Sequence, residues 1–139
     1  MRAHDNYEID DLFLEESNYE DFIKACRNQD WGFAGAILHY IDVNVKDDVE
    51  SLLHVIANCN WMPMCQIALD LGANIEAKNL WKRTALHEAA IYGNAEICAA
   101  LLQHGANPKV KDAHNQTPLD YAIEENHINI ITLLEKTNE

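Results

Sequence analysis

A period of 33 residues runs through this chain. Residues 84–107 read TALHEAAIYGNAEICAALLQHGAN, and 33 places earlier residues 51–74 read SLLHVIANCNWMPMCQIALDLGAN. Thr84 falls on Ser51, Leu86 on Leu53, His87 on His54, Ala90 on Ala57 and Leu102 on Leu69, while Gly105, Ala106 and Asn107 fall on Gly72, Ala73 and Asn74. One period later come Thr117, Pro118, Leu119, Asp120 and Ala122, then Ile130, Ile131, Leu133 and Leu134. A fixed period of this length marks a stack of small units, none of which can bury its apolar faces alone.

Each unit reads as two short helices and an extended loop. In the third, Leu86, Ala89 and Ala90 precede Ile97, Leu101 and Leu102, so both segments place apolar residues at helical spacing, with Gly93 between them. Gly105 suits a helix end that needs a left-handed backbone, and Thr84 and Thr117 stand where a hydroxyl caps a first helix.

This pattern resembles the ankyrin repeat, whose TPLHxAAxxG opening and LLxxGAD closing correspond to Thr84–Gly93 and Leu101–Asn107. The resemblance covers residues 19–138. It implies an all-α solenoid of three to four stacked helix-turn-helix units with extended loops, bounded at about 19–50, 51–83, 84–116 and 117–139. The degenerate first unit aligns at 32 residues, with Ala25 on Ala57, Asn28 on Asn60 and Asp42 on Asn74, and its following loop is one residue short. It carries the helix-weakening Gly32 and Gly35. End units of such a stack need polar outer faces, and the last one carries Glu124, Glu125, Glu135, Lys136 and Glu139. Residues 1–18 are an acidic segment outside the repeat. Its Leu12–Leu14 core suits a short helix covering the first unit, the alternative being an acidic tail.

Charge narrows the partners. The net charge is -13, with 13 acids against 4 bases in residues 1–50 and 10 against 6 in residues 51–139. Nucleic-acid binding draws on Lys and Arg neutralising phosphates, so this balance argues against DNA and RNA, and against anionic membranes. A basic protein partner fits it. No apolar run reaches the roughly 18–20 residues of a membrane span, and the acidic N-terminus is unlike a signal peptide. Cys26, Cys59, Cys65 and Cys98 lie in apolar, helix-like segments without a CxxC pair, which points to a reducing, cytoplasmic setting.

Catalytic signatures are missing from the sequence: no GxSxG, GxxxxGK[ST], HExxH or GxGxxG occurs, and no closely spaced ligand pairs suggest zinc. The resemblance implies that His54 and His87 hydrogen-bond between adjacent loops, while Cys65 and Cys98, one period apart, pack as small hydrophobes. Neither a cofactor nor a metal is expected.

In proteins of this kind, first helices and loop tips line a concave binding face. Carried over, that face comprises Leu80, Trp81, Arg83, Glu88, Ile91 and Tyr92 in and before the third unit. The second unit supplies Asp47, Asp48, Glu50 and Asn58, and the fourth His114, Gln116, Tyr121, Glu124 and Glu125. Trp81 stands out, because nothing in the repeat requires a large apolar ring in the polar loop KNLWKRT. Lys82 and Asn115 stand where a turn glycine is usual, and Asn79 where aspartate is common. The expected function is non-catalytic: a monomer that occupies a partner protein as an inhibitor or immunity-type antidote. A scaffold or adaptor with two partners is the alternative, and a metal-dependent enzyme using Cys59, His54 or His114 a remote one.

Overall fold

A computed structural model describes residues 19–39, 41, 42, 44 and 51–137. The proposed covering helix within residues 1–18 lies outside these. The described helices are α1 (Tyr19–Arg27), α2 (Trp31–Leu38), α3 (Leu52–Cys59), α4 (Met62–Asp70), α5 (Ala85–Tyr92), α6 (Ala95–Gln103), α7 (Pro118–Glu124) and α8 (Ile128–Thr137). They pair as hairpins and stack in two layers. The first helices α1, α3, α5 and α7 pack in series, as do the second helices α2, α4, α6 and α8. The buried face is set by the periodic positions: Leu86, Ala89 and Ala90 on α5 and Ile97, Cys98 and Leu101 on α6 form one continuous core with Leu53, Ile56, Met64 and Cys65 below and Ala122, Ile130 and Leu134 above. None of the four cysteines forms a disulfide, and Cys26, Cys65 and Cys98 are buried.

The helix ends explain the punctuation residues. Gly72, Gly93 and Gly105 all take positive φ, where a Cβ is disfavoured. Gly93 is doubly constrained, since a Cβ there would meet the His127 ring at 2.8 Å. His127 Nε2 in turn lies 3.0 Å from the Ile91 carbonyl oxygen, tying the last hairpin to the one before. At the other end, Trp31 and Trp61 stack with centroids 5.0 Å apart.

The first unit keeps the repeat in a modified register. The left-handed residues closing α1 and α3 are Gln29 and Asn60, so Gln29, not Asn28, is the counterpart of Asn60. Asp42 and Asn74 do correspond: each Oδ1 accepts the amide two residues on, from Asn44 at 2.9 Å and Glu76 at 3.1 Å. The offset is absorbed within the second helix, since α2 has 8 residues where α4 has 9.

Buried histidines link each loop to the next. His87 Nδ1 accepts the Thr84 amide at 3.0 Å, which leaves the proton on Nε2 to donate to the Gln116 carbonyl at 3.0 Å. His54 repeats this with the Ser51 amide at 3.2 Å and the Arg83 carbonyl at 2.7 Å. The inter-loop role implied by the resemblance is therefore present at both. Burial is the main cause holding the His87 imidazole below its ordinary value, despite the bond to Gln116. The stability from neutral His87 is complete above the unfolded value of about 6.5 and is lost as pH falls from there toward the lower folded value. Melting temperature is accordingly expected to drop between pH 7 and 5 in the natural protein and to drop less in His87→Gln. Calorimetry giving equal drops would refute this.

Candidate protein-binding face

The loops before α5 and α7 are built alike. Asn79 Oδ1 accepts the amides of Trp81 and Arg83, both at 3.0 Å, and the Asn79 amide donates to the Arg83 carbonyl at 2.9 Å. Asp112 does the same with His114 at 2.9 Å and Gln116 at 3.0 Å. At the tips, Lys82 and Asn115 adopt left-handed φ of 60° and 63°. Lysine thus accepts the conformation usually given to glycine, and the Lys82 tip keeps the same turn as the Asn115 tip. The Ala113 amide donates to the Trp81 carbonyl at 2.9 Å, joining the two loops. Both backbone polar groups of Trp81 are therefore held.

Behind Trp81 sits a charged cluster. Arg83 donates from Nε to Asp112 Oδ2 at 3.3 Å and from an Nη to the Tyr121 hydroxyl at 3.1 Å, and it pairs with Glu88 at 3.8 Å. The Tyr121 hydroxyl also donates to Asp112 Oδ2. The guanidinium carbon lies 5.8 Å from the Trp81 ring centroid and 5.0 Å from that of Tyr121, both within cation–π range. Burial would raise the Asp112 carboxyl, but hydrogen bonds from Tyr121, the Gln116 and His114 amides and Arg83 outweigh it and hold it at about 2.

This cluster corrects part of the carried-over face. Glu88 and Tyr121 are buried, because their polar ends are turned to Arg83. They support the surface instead of forming it. Leu80 is 64% exposed, Trp81 42% and Tyr92 58%. His114, Glu124 and Glu125 are also exposed, while Arg83, Ile91, Asn58 and Gln116 are half-buried. Gln116 Nε2 donates to Glu124 at 3.2 Å. Asp47, Asp48 and Glu50 fall outside the described residues. Asp112, the acceptor that organises the cluster, was not among the expected site residues. Its signal is its place one period after Asn79, where the repeat commonly has aspartate.

Among the described residues no group of three or more His, Cys, Asp or Glu side chains could hold a metal ion, and no helix is long and apolar enough to cross a membrane. His54, one of the residues considered for metal-dependent chemistry, has both ring nitrogens engaged within the fold.

Comparison with known proteins places this architecture. The family model for ankyrin repeats in three copies matches residues 22–112 and again 52–139. The chain is 33% identical over 130 residues to Probable E3 ubiquitin-protein ligase XBOS34 of Oryza sativa subsp. japonica, covering 91% of this chain and 24% of that protein. An ankyrin repeat protein of Acanthamoeba polyphaga mimivirus is 35% identical over 109 residues, 76% of this chain and 67% of its own length. The B-cell lymphoma 3 protein homolog of Mus musculus is 30% identical over 125 residues, 85% of this chain and 28% of its own.

Proposed function

Because this chain belongs to the ankyrin-repeat family, a family of protein-binding modules, we propose that it acts by occupying a partner protein through the face centred on Trp81 and Tyr92. The observation that carries this is an exposed tryptophan on a loop whose backbone is fixed from both sides. A loop backbone held in place before binding loses little conformational freedom on contact, and buried aromatic anchors dominate interface energies. The net charge of -13 and the exposed Glu124 and Glu125 support a basic partner. The role is that of an inhibitor or immunity-type antidote in a cytoplasmic setting. Affinity capture with the natural protein and Trp81→Ala tests it. A protein retained by the former and lost by the latter, with retention weakening as salt rises, is the expected result, and the substitution weakens binding by about 2 kcal/mol, or some thirtyfold. Retention of every captured protein by both Trp81→Ala and Glu124→Gln/Glu125→Gln would rule out this face.

One observation favours the adaptor alternative. In α5, Ala90 is covered by the following hairpin, but its counterpart Ile123 in α7 is 55% exposed, and Ile128 at the start of α8 is 61% exposed. The last unit thus has apolar residues where a fully polar cap was expected. A second partner there would bind simultaneously with the first and be lost in Ile123→Asp alone.

A further inference from the structure

The bases of this acidic chain are not spread over its surface. Residues 51–139 hold six, and five of them, Lys78, Lys82, Arg83, Lys109 and Lys111, lie in the two loops before α5 and α7. Those loops touch: the Ala113 amide bonds to the Trp81 carbonyl, and the Asn107 amide to the Glu76 carboxylate at 2.9 Å. Lys78, Lys82, Lys109 and Lys111 are all exposed, and none is ion-paired with a described residue. Arg83 differs, its charge being matched by Asp112 and Glu88 in the cluster below. The two loops that carry Leu80 and Trp81 therefore hold four exposed ammonium groups, with Glu76 as the exposed carboxylate among them, on a molecule that is otherwise strongly negative.

The Trp81 ring adds a second constraint. The Arg83 guanidinium already lies 5.8 Å from its centroid, within cation–π range. Lys82 is its immediate neighbour. A further cation brought to this ring would be repelled by Arg83 and Lys82, whereas a neutral aromatic or aliphatic side chain would bury apolar area against Trp81 and Leu80. A nucleic acid fits less well than a short acidic stretch of protein, because its continuous row of phosphates would extend beyond four lysines into the negative remainder of the surface.

We propose that the paired loop tips are a docking surface for an acidic segment of a partner protein, whose aromatic or aliphatic side chain lands on Trp81 between carboxylates that meet Lys78, Lys82, Lys109 and Lys111. This rests on the protein-binding reading above and sharpens it. The basic contacts of a partner belong at Glu124 and Glu125, and its acidic ones at the loops.

The test selects a phage-displayed library of random 12-residue peptides on the full chain, then measures synthetic peptides by fluorescence anisotropy. Selected peptides are expected to carry Trp, Phe or Leu flanked by Asp or Glu. Their affinity should fall at least tenfold in Trp81→Ala and in Lys78→Glu/Lys82→Glu/Lys111→Glu, and should weaken with salt. Unchanged circular dichroism verifies that the variants fold, and Trp81→Phe should keep most of the binding. Selection of Lys- or Arg-rich peptides that depend only on Glu124 and Glu125 would overturn the loop assignment and leave the protein-binding face standing. Peptides indifferent to both sets of substitutions, or no selected peptide, would overturn both. Tighter, lysine-dependent binding of a single-stranded oligonucleotide than of any acidic peptide would overturn the choice of partner.

Discussion

Leu101→Ala is expected to lower the free energy of unfolding by about 2–5 kcal/mol, the range for truncating a fully buried leucine where the surroundings cannot close the void. Leu101 is completely buried on α6, which packs between α4 and α8. Its neighbour Leu102 is only partly buried, so Leu102→Ala should cost roughly 1 kcal/mol or less. Adjacent leucines on one helix thus report on different environments. The alternation follows from stacking, in which one stripe of each second helix contacts two neighbouring hairpins. The loss extends beyond the third unit, because solenoid units draw much of their stability from shared interfaces. Chemical denaturation of both variants measures the difference, and equal costs would contradict the packing described.

Arg83→Met removes the cation from the cluster and leaves Asp112 and Glu88 buried without it. Breaking a buried ion pair from one side costs about 3–5 kcal/mol. The Arg83 side chain is 22% exposed, so solvent screening brings the expectation to about 2–3 kcal/mol. Asp112→Asn acts on the same unit differently. With the folded carboxyl at about 2, below its ordinary 3.8, Asp112 contributes stability that is present above pH 3.8 and lost as pH falls through 2. That contribution amounts to roughly 2 kcal/mol at neutral pH. Asp112→Asn should lose it at pH 7 and show a flatter acid limb. The double variant should cost less than the two single losses combined, since each removes the other's partner. Additive costs in urea denaturation would mean that Arg83 and Asp112 act independently.

The architecture was legible because it is periodic. A hydrophobic position that recurs every 33 residues gains its meaning from the recurrence, and His54 and His87 have the inter-loop bonds that their shared place implies. The register of α1 was less legible, because a residue gained in one segment and lost in another leaves only the total spacing visible. The residues expected to form a binding face divided along physical lines. Trp81, Leu80 and Tyr92 are exposed, as residues unexplained by packing should be. Glu88 and Tyr121 occupy variable positions too, but Arg83, at 5 and 38 residues' separation, draws them inward. Such pairing depends on distances that no period encodes.

The cluster around Arg83 also makes the units distinguishable to one another. Asp112 is an acceptor facing two donors, Arg83 and Tyr121. One period earlier in the sequence the same three places hold Asn79, Glu50 and Glu88, an amide in place of the Asp112 carboxylate and carboxylates in place of Arg83 and Tyr121. The residue types at these three places thus differ between successive units. A duplicated third unit would set a copy of the Glu88 carboxylate against Asp112 in place of the Tyr121 hydroxyl, so this difference disfavours that repetition and helps to set the order of otherwise similar hairpins.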